Sequence, residues 1–217
     1  MAHENLIRLV EVMDRLRSPG GCPWDAEQDH QSLLKYLLEE SYEFIDSVES
    51  GNRVDMREEL GDLLLQVYFH SRIAQEHPSE PFDIDGVAAT VADKLISRHP
   101  HVFSDAKVDS SDQVVANWEK IKRAEKGRTS FADGVALGQP ALPLATKLIS
   151  RAAKSDLPVP SPSAPSSSAP NGDGATALGE ALLALVSWAV ANQIDPEDAL
   201  RKAALQYRSK LQDNEPR

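Results

Sequence analysis

Two pairs of acidic residues lie on two successive predicted helices between Leu37 and Gln66, and they constrain the fold more than any other feature. Glu40 and Glu43 are three residues apart in the first helix, and Glu59 and Asp62 are three apart in the second. Residues at this spacing project from one face of a helix, about one turn apart. Each predicted helix therefore carries an acidic strip beside its apolar residues.

The two helices are predicted to run antiparallel. The first extends from about Gln31 to Ser50, Gly51 is a plausible helix stop, and the turn to Val54 is short. The four carboxylates can then meet between the helices. Because like charges held close oppose one another's ionisation, such a group needs cations, and oxygen-seeking Mg²⁺ fits best, with Mn²⁺ as a substitute.

Helical-wheel positions separate these acids from ordinary surface charge. In the first helix Lys35, Glu39 and Asp46 fall on the solvated side, away from Glu40 and Glu43. In the second helix, which reaches His77, the predicted apolar face consists of Leu60, Leu63, Leu64, Val67 and Tyr68. The alternative is that the acids form a solvated face, as most charged residues do. The paired spacing on both helices favours a site.

Length and charge limit the classes of protein that this chain can belong to. At 217 residues and 41% hydrophobic content, one or two domains with a real core are expected. The net charge of −11 argues against a nucleic-acid partner, which would need a basic face. A single cysteine, Cys22, excludes an intrachain disulfide framework, and no leader or long apolar span is evident. We therefore expect a soluble cytoplasmic protein that does not associate with a membrane.

The remaining periodic segments also predict helices. They are Glu4–Arg17, Gly86–Arg98 with Asp85 as a cap, a helix from Ser111 or Asp112 to Lys126, Leu142–Ala153, Leu178–Ala191 and Pro196–Leu211. The segment from Gly21 to His30 is predicted to be a loop. In the helix that starts at Gly86 the apolar stripe is predicted to be Val87, Val91 and Leu95.

A few basic and aromatic residues are candidates for ligand contacts. Lys94 and Arg98 are four residues apart on one helix face, either as surface residues or as a clamp for an anionic substrate. Trp24 is either a structural plug, which composition favours, or a surface that stacks on a planar ligand. His99 and His101 are weak evidence for zinc and are interpreted as capping or packing residues.

Composition changes abruptly after the sixth predicted helix. Pro158–Pro170 is almost wholly Pro, Ser and Ala, which is typical of a solvated linker. We predict a catalytic helical domain at residues 1–155, a linker at 156–176 and a non-catalytic helical repeat at 177–217. ALGEALLAL from Ala177 echoes ELGDLLLQV from Glu59, which indicates a decayed internal repeat. Because Ala177 replaces Glu59 in this copy, the copy cannot build the same metal site.

Five ordered motifs closely resemble those of MazG-type nucleoside triphosphate pyrophosphohydrolases. They are GCPWDxxQxH from Gly21, EExxE at Glu39–Glu43, ExxD at Glu59–Asp62, KLxxRHPHVF at Lys94–Phe103 and NWExIKxxEK at Asn117–Lys126. The resemblance covers about residues 5 to 150. It implies an all-α bundle, usually a tight homodimer, in which Mg²⁺ helps convert a nucleoside or deoxynucleoside triphosphate to the monophosphate and pyrophosphate. It also suggests clearance of non-standard or damaged nucleotides.

The resemblance assigns roles to individual residues. The implied metal ligands are Glu40, Glu43, Glu59 and Asp62. The residues implied or retained as candidates for substrate binding are Lys94, Arg98, Trp118, Lys122, Trp24, and Arg57 or Glu58 beside the site. Glu39 is the candidate for orienting or deprotonating the attacking water. Many family members have two intact copies with activity in the C-terminal one, so the N-terminal copy is the only catalytic candidate here.

Other classes remain as alternatives. All-α pyrophosphohydrolases that act on dUTP or phosphoribosyl-ATP share the acid pattern, although the GCPWD and RHPHVF motifs favour the MazG type. A non-catalytic oligomerisation or regulatory module is the alternative of a different class, and the degenerate second copy is its best argument. The sequence contains no GxxxxGK[ST] loop, which excludes the P-loop mechanism.

Overall fold

The protein is helical throughout the part that the structure describes. The computed structural model describes residues 3–104, 132–155, 157–163 and 174–212, together with isolated positions between 108 and 130. Every regular element in these ranges is a helix, which confirms the all-α prediction. The chain forms two compact units, Met1–Glu119 and Lys120–Arg217. The predicted division into a catalytic domain, a linker and a repeat stays a prediction.

The first unit contains six helices among its described residues. They are α1 (Glu4–Arg17), α2 (Pro23–Glu27), α3 (His30–Ser50), α4 (Arg53–Ala74), α5 (Ile84–Arg98) and α6 (Pro100–Phe103). α1 has the predicted bounds, whereas α4 ends before the predicted His77. α5 begins earlier than predicted because Asp83, not Asp85, is its cap: the Asp83 carboxylate accepts a 2.8 Å hydrogen bond from the backbone N–H of Gly86.

Local signals fix the ends of the α3–α4 hairpin. The Asp29 carboxylate accepts a hydrogen bond from the Ser32 N–H, and the Ser32 hydroxyl is bonded to the Asp29 backbone, which forms a capping box. Gly51 ends α3 with a φ of 70°, a left-handed conformation that glycine adopts without strain. The Asn52 side chain then caps α4 by accepting from the Val54 N–H. These signals set the helices antiparallel.

The loop prediction for Gly21–His30 was wrong over five residues, which form α2. Pro23 occupies the first turn of α2, where its missing N–H is not needed, and the Ala26 N–H bonds to the Cys22 carbonyl. The Cys22 N–H donates to the Leu16 carbonyl, which folds the segment back on the end of α1. Arg17 holds the far end of α2 through the carbonyls of Asp25 and Gln28.

The core of the first unit lies between α1, the start of α3 and the second half of α4. Its buried members are Met13, Leu33, Tyr68 and Phe69. The predicted apolar face of α4 was therefore only partly right: Tyr68 is buried, but Leu60 is 50% and Val67 42% exposed. The buried stripe is rotated toward Phe69 because α4 packs against α1 as well as α3. In α5 the predicted stripe fails similarly, since Val91 and Leu95 are exposed.

In the second unit the start of the Pro-rich segment is hydrogen-bonded to one of the described helices. The described helices of this unit are α7 (Ala141–Ala153), α8 (Gly174–Ala191) and α9 (Pro196–Gln212). α8 begins four residues before the predicted Leu178. Ser187 donates a hydrogen bond to the Pro160 carbonyl, and the Ser163 N–H donates to the Ala184 carbonyl. The start of the predicted linker is thus attached to α8.

The helix predicted between Ser111 and Lys126 lies largely outside the described residues.

Among the described residues, the Gly174–Ala191 helix alone is long and apolar enough to cross a membrane. Its length and composition are weak evidence for a membrane span, since core helices of soluble proteins pass the same test.

Candidate functional site

Acidic side chains from α3 and α4 converge between the two helices. Oxygen atoms of Glu40, Glu43 and Glu59 all lie within 4.8 Å of one another. Glu40 and Glu59 are half-buried, and Glu43 is exposed. Three of the four predicted ligands therefore come from two helices to one point, as the antiparallel arrangement requires.

The fourth predicted ligand, Asp62, is electrostatically coupled to this group. Burial raises the pKa of Glu40 above its ordinary value, and repulsion by Asp62 raises it further, followed by repulsion from Glu43 and Glu59. Asp62 is itself half-buried. The four acids therefore form one interacting group, which we call the acid cluster.

Glu59 has a similarly perturbed environment on α4. Its pKa is raised by burial and then by repulsion from Glu43, Asp62, Glu58 and Asp55. Of these, Glu58 is a predicted substrate-binding residue and Asp55 was not predicted to take part. The i, i+4 spacing of Asp55 and Glu59 is the sequence signal that would have identified it. Mutual repulsion of this kind is relieved when a cation binds.

The other predicted site residues on α3 and α4 lie around the acid cluster. Glu39 is exposed on α3, next to Glu40 but on the side predicted to be solvated. Arg57 is exposed in the first half of α4. The negative charge of Glu39 is the smallest of the contributions that raise the pKa of Glu40.

The predicted basic and aromatic residues are only partly brought together. The Arg98 guanidinium lies 5.8 Å from the centre of the Trp118 ring, and Arg98 is 8% exposed. A cation at this distance interacts favourably with the ring face. Lys94 is exposed on α5, and Lys122 lies outside the described residues.

Trp24 packs on the core but stays half-exposed. Its ring contacts Tyr36 and Phe69 edge to face, at centroid distances of 5.9 and 6.5 Å. It nevertheless remains 48% exposed. The structural role that composition favoured is therefore supported by these contacts, and the stacking of Trp24 on a ligand stays a prediction.

The acid cluster has the donor set of a site for a hard divalent cation. Carboxylate oxygens are the ligands that Mg²⁺ and Mn²⁺ prefer, and they need not be fully enclosed, because these ions keep several waters and bind substrate phosphates. The raised pKa values of Glu40 and Glu59 mean that protons and cations compete for the same oxygens. Cation binding should therefore weaken as the pH falls.

Comparisons with known proteins identify the family to which the chain belongs. The family described as the MazG nucleotide pyrophosphohydrolase domain matches residues 28–103, which include the whole acid cluster. The chain is 48% identical over 207 residues to an uncharacterised 26.1 kDa protein of Streptomyces cacaoi, covering 95% of this chain and 81% of that one. The chain belongs to the MazG family. This places it among hydrolases that act on phosphorus anhydrides.

Two relatives with a named activity match about two thirds of this MazG protein. The nucleoside triphosphate pyrophosphohydrolase of Mycobacterium tuberculosis is 52% identical over 155 residues, covering 71% of this chain and 47% of that protein. The enzyme of the same name from Escherichia coli K12 is 45% identical over 150 residues, covering 67% of this chain and 56% of that protein. The chain thus spans about half the length of these two relatives.

Proposed function

We propose that this MazG protein is a Mg²⁺-dependent nucleoside triphosphate pyrophosphohydrolase that releases pyrophosphate and leaves a nucleoside monophosphate. The observation that supports this most is the convergence of Glu40, Glu43 and Glu59 within 4.8 Å, inside the segment that matches the MazG domain. The names of the relatives support the reaction, and the chemistry of the acid cluster supports the metal. Mn²⁺ should substitute because it prefers the same oxygen ligands.

Each group of residues has a distinct role in this proposal. Glu40, Glu43, Glu59 and Asp62 hold the cation. When bound, the cation neutralises phosphate oxygens and stabilises the charge that develops as the bond between the α- and β-phosphates breaks. Glu39, beside the cluster on α3, orients or deprotonates the attacking water. A carboxylate within reach of the water can do this as a general base.

The nucleotide is bound by cationic and aromatic groups. The ammonium of Lys94 and the guanidinium of Arg98 offer charge to phosphate oxygens that the cation leaves uncovered. Trp118, which lies against Arg98, and the half-exposed Trp24 offer ring faces to a base. Lys122, Arg57 and Glu58 are retained as further candidates near the substrate.

We also propose that the protein acts as a homodimer in the cytoplasm and does not bind nucleic acid. Large apolar side chains are exposed along one face of α3, at positions three or four residues apart: Leu34, Leu38, Tyr42 and Ile45. A second copy of the chain would cover such a stripe. The net charge of −11 opposes binding to nucleic acid. Non-standard or damaged nucleotides are the proposed physiological substrates.

The proposal is tested by assaying pyrophosphate and monophosphate release from ordinary and modified nucleoside triphosphates. We expect release with Mg²⁺, none with excess chelator, and a loss of at least a hundredfold in kcat/KM for Glu43→Gln, because one metal ligand is removed. Glu11→Gln, an exposed acid on α1, is the matched control and should behave like the wild type. Unchanged activity in Glu43→Gln would refute the ligand assignment. Absence of hydrolysis in a folded, Mg²⁺-binding protein would instead favour a regulatory module.

A further inference from the structure

Two histidines outside the acid cluster form a direct bond between α3 and α4. The Nδ1 atoms of His30, in the first turn of α3, and His70, near the end of α4, are 2.8 Å apart. The ring planes are within 3° of parallel, and the ring centroids are 5.1 Å apart. The centroid distance exceeds the Nδ1–Nδ1 distance by about two ring radii. The rings therefore face each other edge to edge, in the geometry of an in-plane N–H···N hydrogen bond.

This bond requires the two rings to adopt different tautomers. One Nδ1 must carry the proton and the other must accept it, because a neutral imidazole has one donor and one acceptor nitrogen. The Nε2 atom of His70 is buried and has no partner among the described residues. Buried N–H groups without a partner are rare in folded proteins, so the buried Nε2 of His70 is assigned no proton. His70 therefore donates from Nδ1, and His30, which is exposed, keeps its Nε2–H in water.

A third proton cannot be added to the two rings without burying an unpaired N–H group or breaking the hydrogen bond between them. It would either occupy Nε2 of His70 or place two N–H groups opposite each other across 2.8 Å. One turn earlier on α4, the Oε1 atom of Gln66 is also buried and unpaired, and the Gln66 side chain would have to turn to accept from Nε2. Burial and the positive charge on His30 both lower the pKa of His70. The bond is thus stable in the neutral form.

The charged groups around the two histidines do not favour a third proton on the pair. Asp29 precedes His30, and its pKa is lowered mainly by the Ser32 N–H, with a small contribution from His30. On the α1 side, Asp14 and Arg17 are engaged with Arg72 and Glu76 of α4. On the α5 side, Asp83 and Asp85 line a groove with Tyr68 and Gln75. Asp29 is the one acid next to the pair in sequence, and its carboxylate is held by its capping bond.

The pair and the acid cluster share the same two helices at matched positions. Glu40 lies ten residues after His30, and Glu59 lies eleven residues before His70. In antiparallel helices the two histidines therefore lie opposite each other, about 15 Å along the hairpin from the acid cluster. A slip or rotation of α3 against α4 would change the separation of the acids, and the histidine bond resists it.

We propose that His30 and His70 are positioning residues: their neutral N–H···N bond fixes α3 against α4 and thereby holds the acid cluster in its cation-binding geometry. This rests on the proposed function, which assigns the cation to the cluster. Because burial lowers the pKa of His70, the pair takes up a third proton only below the ordinary histidine range; that proton then opens the bond, and the acids lose their alignment. The sign follows from the lowered pKa of His70, since the folded protein binds fewer protons than the unfolded chain.

The bond itself is tested by NMR of ¹⁵N-labelled imidazoles in the full chain. At pH 7.5 we expect the Nδ1–H tautomer for His70 and the Nε2–H tautomer for His30, because only this pair of tautomers joins the two Nδ1 atoms and leaves the buried Nε2 of His70 without a proton. Two Nε2–H tautomers at this pH would overturn the inference. This readout does not depend on metal binding or hydrolysis.

The positioning role is tested by Mn²⁺ binding, measured by calorimetry. At pH 7.5 His30→Ala, a change at an exposed position, should weaken Mn²⁺ affinity about three- to tenfold, the effect of one lost hydrogen bond. His30→Asn should restore it, because the Asn carbonyl can accept from His70 Nδ1. His77→Ala is the control on the segment after α4 and should not change affinity. Unaltered affinity in His30→Ala would refute the role.

The pH dependence separates positioning from simple support of the fold. Both the wild type and His30→Asn lose affinity toward pH 5.5 as the acids take up protons, but the wild type should lose about threefold more. Only in the wild type can the acceptor atom of the bond, Nδ1 of His30, itself take up a proton and so break the bond. Equal losses would refute the proton sensitivity. If the folded wild type binds no Mn²⁺ at any pH, the proposed metal site and the positioning role both fail, whereas the NMR result still decides the bond.

Discussion

Replacing Glu43 by Gln should stabilise the metal-free protein and weaken its stabilisation by Mg²⁺. Glu43 contributes to the raised pKa of both Glu40 and Glu59, so its charge opposes theirs. At the 4.8 Å limit, and with the dielectric constant of water because Glu43 is exposed, its repulsion with Glu40 alone is about 1 kcal/mol. The amide keeps the shape of the side chain and removes this charge. In chelator and low salt we expect the free energy of unfolding to rise by about 1 kcal/mol.

Adding Mg²⁺ should reverse the order of the two proteins. A ligand that binds only the folded state adds about 2.7 kcal/mol at one hundred times its dissociation constant. The wild type should gain this much, whereas Glu43→Gln, which lacks one carboxylate, should gain less at the same Mg²⁺ concentration. The repulsion should also shrink at higher ionic strength, since the Debye length is about 8 Å near physiological salt. The metal-dependent difference should persist in that buffer.

The pH dependence provides an independent check. A carboxyl whose pKa is raised on folding stabilises the protein below its unfolded pKa, and this contribution is lost as the pH rises through the folded value. In chelator, the wild type should therefore lose stability as the pH rises above the ordinary carboxyl range, and Glu43→Gln should lose less. Urea unfolding of the wild type, Glu43→Gln and Glu11→Gln, each with chelator and with Mg²⁺, measures all three effects. The reasoning is refuted if Glu43→Gln is destabilised in chelator or gains as much from Mg²⁺ as the wild type.

Two further predictions concern the stability of the fold. Gly21→Ala should lower the thermal midpoint markedly, because its Cβ would collide with the backbone carbonyls of Arg15 and Leu16. The control Gly179→Ala, in open space within α8, should instead raise the free energy of unfolding by about 0.5–1 kcal/mol. Equal effects of the two changes in a thermal melt would contradict this geometry. Arg17 lowers the pKa of Glu76 through a bidentate pair, so the wild type should lose stability as the pH falls through the acid range, and Arg17→Met should flatten this dependence in acid-denaturation curves.

Periodicity and spacing predicted the parts of the site that depend on one helix or on one hairpin. Glu40 and Glu43 share a helix face because of their spacing alone, and the helix stop at Gly51 with its short turn makes α3 and α4 antiparallel neighbours. The convergence of Glu59 with them follows from these two local facts. The sequence predicted this geometry because no third element is needed to produce it.

Periodicity and spacing could not predict how more than two helices pack together. The helical-wheel positions of α4 predicted one apolar face. In the structure α1 and α3 together bury Phe69 and leave Val67 exposed. Periodicity does not indicate where a second neighbouring helix lies. The helix cap Asp83 was missed in favour of Asp85 because both residues precede an apolar run, and only the bond to Gly86 distinguishes them. The histidine bond was missed because His30 and His70 are forty residues apart and neither belongs to a motif of paired histidines.

The predicted repeat in the second unit differs from the acid cluster at a position that the structure describes. In the predicted repeat Ala177 corresponds to Glu59, and it is 8% exposed, so this position of α8 is part of a packed interface. A carboxylate there would be desolvated without neighbouring acids that could share a cation with it. Glu180, which corresponds to Asp62, is instead exposed. A small apolar residue at the buried position therefore lets α8 contribute to stability without a bound cation.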